Sequence, residues 1–91
     1  MSARRTKLEI IHDILRAIQE KNGKIKPTHL LYKSNLSYQK MKQSLEELVE
    51  KQMVREEKNK HGAYILITEQ GLKFLQEYRR MKAFTESFGL T

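Results

Sequence analysis

The chain has 91 residues, enough for about one domain, and it contains no cysteine. It can therefore form neither disulfides nor cysteine-based metal sites, and we expect a soluble protein of a reducing, cytoplasmic compartment. Eighteen Lys and Arg against 11 Asp and Glu give a formal net charge of +7, which predicts a polyanionic partner. No apolar run is long enough to span a membrane, and the first residues lack a signal peptide's apolar stretch.

The first predicted element is an amphipathic helix that begins near Lys7 and ends at Lys21. Apolar side chains from Leu8 to Ile18 fall on one half of a helical wheel at about 100° per residue. A face this wide indicates packing against more than one neighbour. Asn22-Gly23 then supplies a stop signal.

A short strand and two helices are predicted next. Residues 24–26 alternate in polarity, which favours a brief strand, and Pro27 opens a short helix over residues 28–33. Ser34-Asn35 marks a turn, and Ser37 is of a type that commonly caps a helix N-terminus. The third helix buries one face, formed by Met41, Leu45 and Leu48.

After the third helix the apolar pattern changes to a period of about 2, which is typical of strands. Residues 54–57 and 63–68 predict the two strands of a hairpin, with the basic segment 58–62 at its tip. A final helix is predicted from Glu69 to about Ser87. Gly71 in its first turn disfavours the helix slightly.

This order of elements is that of a winged helix-turn-helix domain, an α+β fold that is mainly helical. In that fold the third helix enters the major groove of DNA and the hairpin, or wing, lies against the adjacent backbone or minor groove. We expect a flexible basic arm over residues 1–6, the winged helix-turn-helix domain over residues 7–70, and a C-terminal dimerisation helix and tail over residues 71–91.

The charge is unevenly placed along the chain and points to a candidate DNA-binding surface. Residues 21–45 include six lysines and no acidic residue, whereas Glu46, Glu47 and Glu50 lie near the end of the third helix. Glutamine suits adenine, and lysine suits guanine or phosphate. The candidate DNA-binding residues are Lys33, Ser37, Tyr38, Gln39, Lys40, Lys42 and Gln43, with Lys58, Lys60 and His61 of the wing and Arg4 and Arg5 of the arm.

Each of these groups also has a simpler interpretation. The outward side of the third helix could be an ordinary solvated face, and Ser37 could serve only as a helix cap. A lysine-rich hairpin tip also occurs for solubility and edge protection. The N-terminal basic residues are equally compatible with a solvated tail.

Other chemistries have little support in the sequence. His12, His29 and His61 share no metal-ligand spacing and lie on three predicted elements. There is no glycine-rich phosphate loop and no arrangement of nucleophile and base. We therefore expect no enzymatic activity, no metal and no cofactor.

Three segments of the chain resemble those of a known family. They are Lys7-Leu8-Glu9-Ile10-Ile11, Ser34-Asn35-Leu36-Ser37-Tyr38, and Tyr64-Ile65-Leu66-Ile67-Thr68 followed by Gly71 and Phe74-Leu75. Over residues 7–75 the chain resembles the small archaeal winged-helix DNA-binding proteins, which include the basic, chromatin-associated dimeric proteins of crenarchaea. The resemblance implies double-stranded DNA binding through residues 37–43 and the wing. It also implies dimerisation through an antiparallel C-terminal helix, here shorter than the family's.

The last helix carries apolar side chains at heptad-like spacing, which favours a homodimer. The candidate interface residues are Phe74, Tyr78, Met81, Phe84, Thr85 and Phe88. The alternative is that this helix folds back onto the broad apolar face of the first helix.

Two classes of function remain open. The sequence favours double-stranded DNA binding, as a small transcription regulator or a nucleoid-associated protein of the cytoplasm. The alternative is an RNA-binding or protein-interaction module that does not read DNA sequence, because a fold alone does not fix function.

Overall fold

The elements follow one another in the predicted order in the computed structural model, which describes residues 5–90. Within that range four helices and three strands form: α1 (Lys7–Glu20), β1 (Lys24–Ile25), α2 (Pro27–Ser34), α3 (Tyr38–Glu50), β2 (Val54–Asn59), β3 (Gly62–Ile67) and α4 (Glu69–Ser87). The predicted fold class, a mainly helical α+β winged helix-turn-helix, is confirmed.

The start and the end of α1 are both fixed by local hydrogen bonds. Thr6 is the N-cap and forms a capping box with Glu9, in which each side chain accepts from the other residue's backbone N–H. At the other end, Asn22 and Gly23 have φ angles of 58° and 85°. The Gly23 N–H donates to the Ile18 carbonyl oxygen, which turns the chain toward β1.

The helix-turn-helix consists of α2, a short turn and α3. Pro27 occupies the first turn of α2, as predicted, and Leu30 anchors this helix in the core. Asn35 ends α2 in the left-handed conformation, with φ 53°. Ser37 caps α3, so only Leu36 lies between the two capping residues.

The three strands form one antiparallel sheet in the order β1-β3-β2. β2 is two residues longer than predicted and β3 begins and ends one residue earlier, because Lys58 pairs with Ala63 and Asn59 with Gly62. The hairpin tip is therefore only Lys60-His61, and most of the predicted basic loop lies in paired strands.

A single core joins the helices to the inner face of the sheet. Its fully buried members are Ile14, Leu15, Ile18, Leu30, Leu48, Ile65 and Leu75. Leu75 belongs to α4, and Gly71 is also buried. The first half of α4 is therefore part of the folded domain, packed on α1 and β3.

The basic segment before α1 is also partly folded. Arg5 makes hydrogen bonds to Asp13 and to the turn after α2, and Thr6 caps α1. A flexible arm was predicted over residues 1–6, but Arg5 and Thr6 are both hydrogen-bonded to the folded domain. Residues 1–4 lie outside the described range. Among residues 5–90, no helix has the length and apolar character needed to cross a membrane.

Candidate nucleic-acid interface

The outward face of α3 is formed by its first two turns. Ser37 Oγ accepts a hydrogen bond from the Lys40 N–H at 3.1 Å, and Met41 and Leu48 hold the opposite face in the core. This packing leaves every candidate side chain of the helix exposed: Ser37, Tyr38, Gln39, Lys40, Lys42 and Gln43. The structure thus brings these six residues together on one accessible surface, which we call the α3 face.

A groove runs along each side of the α3 face. On one side Lys40 and Gln43 share a groove with Arg5 and Lys7 at the start of α1. On the other side a cleft of about 300 Å³ separates α3 from the wing. Its α3 side is lined by Tyr38, Met41, Lys42, Leu45 and Glu46. Its other side is lined by Pro27 of α2 and by Glu56 and Ile65 of the hairpin.

One of the acidic groups that follow the first two turns of α3 is offset by an ion pair. Lys7 Nζ lies 2.7 Å from Glu47 Oε2, so this carboxylate has a cation of its own beside it. Glu46 and Glu50 are exposed, and they too lie after the first two turns. The first two turns therefore carry the positive and amide groups, and acidic groups begin where a recognition helix usually leaves the groove.

Lys33 lies at the end of α2 and has an acidic neighbour on α1. Its Nζ is 3.3 Å from Glu20 Oε1, and Arg16 Nε donates to the other oxygen of the same carboxylate. The hydrogen bond from Lys33 holds the pKa of Glu20 below its usual range. A phosphate would have to compete with Glu20 for this lysine.

One basic residue of the wing, Lys58, lies on the sheet face that adjoins α3. Directly paired residues lie on the same side of a sheet, so Glu56 shares the face of Ile65, and Lys58 follows two residues later on that face. Lys60 and His61 form the exposed tip, where the His61 N–H donates to Asn59 Oδ1 at 2.8 Å. Lys58 therefore faces the cleft side of the hairpin.

Three further side chains form a basic cluster that is absent from the predicted site. Lys24 Nζ lies 4.5 Å from the centre of the Tyr64 ring, and Lys26 Nζ lies 5.9 Å from it. Lys24 also donates to Glu57 at 3.1 Å. The acid-free stretch contains both lysines, but only the pairing of β1 with β3 brings them to Tyr64.

Of the two arginines predicted to bind DNA from a flexible arm, the structure describes only Arg5. Arg4 lies outside the described residues. Arg5 is half-buried, and its guanidinium donates to Asp13 and to backbone carbonyl oxygens after α2. Its observed contacts are therefore with the protein.

The predicted dimer residues fall into two groups. Phe74 packs against the core, and the Tyr78 ring stacks on His12 of α1 with centroids 4.3 Å apart. The other group lies farther along α4, where Thr85 is half-buried and three large side chains are exposed: Met81, Phe84 and Phe88. The first half of α4 thus folds back onto α1, whereas its second half presents apolar groups to solvent.

A helix-turn-helix followed by a two-stranded wing defines the winged helix-turn-helix class, and here the first two turns of α3 carry lysine and glutamine side chains and no acidic residue. The family model named Winged helix-turn-helix matches residues 4–86, and the chain belongs to this family. Among curated proteins none matches the chain.

Solved structures share this fold at low sequence identity. The chain superposes on Sso10a-2, a DNA-binding protein from Sulfolobus solfataricus, with a TM-score of 0.80, 23% identity, and coverage of 92% of this chain and 85% of that one. F93 from STIV, a winged-helix DNA-binding protein, superposes with a TM-score of 0.74 and 17% identity, covering 90% of this chain and 92% of F93. BpsR from Bordetella bronchiseptica, whose DNA binding is regulated by 6-hydroxynicotinic acid, superposes with a TM-score of 0.74 and 14% identity. The match covers 88% of this chain and 64% of BpsR.

Proposed function

We propose that this protein binds double-stranded DNA without catalysis, placing the α3 face in the major groove and the wing against the adjacent backbone. The observation that carries the proposal is the exposed outward surface of the first two turns of α3, which carries no acidic residue. Similar structures are those of DNA-binding proteins. Affinity would come mainly from lysine–phosphate contacts, and sequence preference from Gln39, Lys40, Lys42 and Gln43.

Salt dependence of binding to a labelled duplex tests this proposal. Each lysine–phosphate contact releases counterions, so removing two contacts lowers the slope of log affinity against log salt by about two units. We expect this loss for the double variant Lys40→Ala/Lys42→Ala. An unchanged slope would place α3 outside the interface.

A charge-matched control separates contact from overall charge. Lys51 lies at the C-terminal end of α3 and Lys73 is exposed on α4, both away from the first two turns. The variant Lys51→Ala/Lys73→Ala removes the same net charge, and we expect it to keep the parental slope to within about half a unit.

A regulator and a nucleoid-associated protein differ in sequence preference. Selection of bound duplexes from a random pool yields an enriched motif for a regulator and none for a protein that coats DNA. The alternative functions make different predictions. For an RNA-binding module, structured RNA should displace duplex DNA. For a protein-interaction module, binding of duplex DNA or of RNA should not depend on the α3 face.

We further propose that the protein forms a homodimer through the second half of α4 and the residues that directly follow it. Four large apolar side chains in this short segment are exposed, which is unusual: Met81 (46%), Phe84 (63%), Phe88 (66%) and Leu90 (71%). Leu8 of α1 is also exposed and shares an apolar groove with Tyr78 and Met81. A second copy would cover this surface with its own apolar groups.

The dimer is tested by sedimentation of the parent and of Met81→Glu/Phe88→Glu. We expect the parent to sediment as a dimer at micromolar concentration and the variant as a monomer, because buried carboxylates would oppose association. Both side chains are exposed in the chain itself, so the variant should fold. A parent that is already monomeric would contradict the proposal.

A further inference from the structure

Arg5 is held by three hydrogen bonds where α1 meets the helix-turn-helix. Its Nη1 donates to Asp13 Oδ2 and to the Ser34 carbonyl oxygen, both at 2.8 Å, and its Nη2 donates to the Asn35 carbonyl oxygen at 2.9 Å. Three of the five guanidinium N–H groups are used, including both on Nη1. Most of the hydrogen-bonding capacity of this side chain is therefore committed within the protein.

The two carbonyl oxygens are those that most need a donor. The last carbonyl groups of a helix have no partner within it and carry the negative end of the helix dipole. Ser34 is the final residue of α2, and Asn35 is its C-cap. The guanidinium of Arg5 satisfies both, while Asp13 on the rigid α1 holds the guanidinium in place.

The turn fixed by Arg5 leads directly into the α3 face. Leu36 alone separates Asn35 from Ser37, whose side chain and carbonyl oxygen accept from the N–H groups of Lys40 and Met41. A displacement of Asn35 is therefore passed to the first turn of α3.

We infer that Arg5 is a positioning residue for α3 rather than a phosphate contact. Anchored by Asp13, it fixes the turn after α2 and so the orientation of the α3 face. This inference rests on the proposed DNA binding for its functional readout, and it concerns a contact network that the sequence pattern does not reveal.

The variant Asp13→Ala separates positioning from electrostatics by the sign of its effect. Removing a carboxylate raises the net positive charge, which by itself strengthens DNA binding, and alanine favours the helix. Loss of positioning acts in the opposite direction. We expect duplex affinity to fall about three- to tenfold, the scale of one ordinary hydrogen bond, with an unchanged salt slope, because Arg5 can keep its bonds to the two carbonyl oxygens.

Glu20→Ala is the matched control for this variant. Glu20 is an acid on the same helix whose partners are Lys33 and Arg16 and not the turn carbonyls. Its removal should leave duplex affinity unchanged or raise it, because Lys33 is then released from its acidic neighbour. A fall equal to that of Asp13→Ala would overturn the inference.

Arg5→Lys tests the geometry of the guanidinium while keeping its charge. One ammonium group cannot reproduce the planar fork that reaches three acceptors. We expect this variant to lose affinity about as much as Arg5→Ala, and both to keep the parental salt slope. If Arg5 contacted phosphate, lysine would retain most of the binding and Arg5→Ala would lower the slope by about one unit, which would overturn the inference.

A measurement without DNA makes the inference independent of the proposed function. Amide hydrogen exchange at Lys40 and Met41 should be faster in Asp13→Ala than in the parent at a temperature well below unfolding, and unchanged in Glu20→Ala. If the parent does not bind duplex DNA, the proposed function fails and this exchange alone judges the positioning. Unchanged exchange in Asp13→Ala would overturn it.

Discussion

At the scale of single residues, Gly71 shows how a sequence pattern can mislead. A glycine in the first turn of a helix normally weakens it. A Cβ at this position would press on the Met53 carbonyl oxygen and lie 2.7 Å from Ile67 Cγ1. The glycine is therefore required by the close approach of α4 to the end of the hairpin.

We expect Gly71→Ala to destabilise the protein although it raises helix propensity. The gain from propensity is at most about 1 kcal/mol, whereas overpacking against the backbone oxygen of Met53 costs about 1–3 kcal/mol. Urea unfolding of the variant measures the net change. The exposed neighbour Gln70 offers a control, since Gln70→Ala should change stability by less than about 0.5 kcal/mol. A more stable Gly71→Ala would show that α4 shifts to accommodate the methyl group.

The capping box of α1 predicts a pH effect with a defined sign. Hydrogen bonds from the backbone N–H and the side chain of Thr6 lower the pKa of Glu9. A lowered pKa in the folded state contributes stability that is present above the ordinary glutamate pKa, about 4.3, and is lost as the pH falls through the folded value. The cap should therefore weaken in acid.

Glu9→Gln tests this effect, because its amide oxygen can accept the same bond from Thr6 without titrating. Between about pH 5 and pH 3 the melting temperature of the variant should fall less than that of the parent. Matching acid profiles for the two proteins would show that the cap contributes nothing that depends on the charge of Glu9.

At the scale of elements, the two faces of the wing predict different roles for its cations. Lys58 lies on the face that adjoins the α3 cleft, whereas Arg55 pairs with Leu66 on the opposite face of the sheet. If the wing lies beside α3 on the duplex, Lys58→Ala should lower the salt slope of binding by about one unit. Arg55→Ala removes the same charge and should leave the slope unchanged. Equal slopes for the two variants would argue against contact through the α3 side of the wing.

The elements themselves were accessible from sequence because their signals are local. Thr68 caps α4 by accepting from the Gly71 N–H, and α4 ends at Ser87 as predicted. The first hairpin strand, β2, was predicted too short, since the pairing of Lys58 and Asn59 with residues across the turn outweighs their polar character. The outward residues of α3 could be predicted because its apolar residues recur with the helical period of 3.6. The hydrogen bonds of Arg5 to the turn after α2 could not be predicted, because their acceptors are backbone oxygens 29 and 30 positions away in the chain.

At the scale of the whole molecule, α4 links the core to the surface proposed for dimerisation. Leu75 is buried in the core, Arg79 donates to Gln19 of α1 at 3.0 Å, and Tyr78 stacks on His12. Beyond these contacts the helix continues to Ser87 with its large apolar groups exposed. If the protein dimerises as proposed, α4 would therefore connect the core that carries each α3 to the two-fold axis.

A dimer with this arrangement predicts the form of its DNA site. Two-fold symmetry places the α3 faces on inverted half-sites, about 34 Å or one helical turn apart if both read the same side of the duplex. If the protein reads sequence, selection from a random pool should yield inverted repeats for the parent and single half-sites for Met81→Glu/Phe88→Glu. The base preference within each half-site should stay the same, because the substitutions leave α3 intact. Single half-sites for both proteins would mean that each copy binds independently, even if the α3 face reads DNA as proposed.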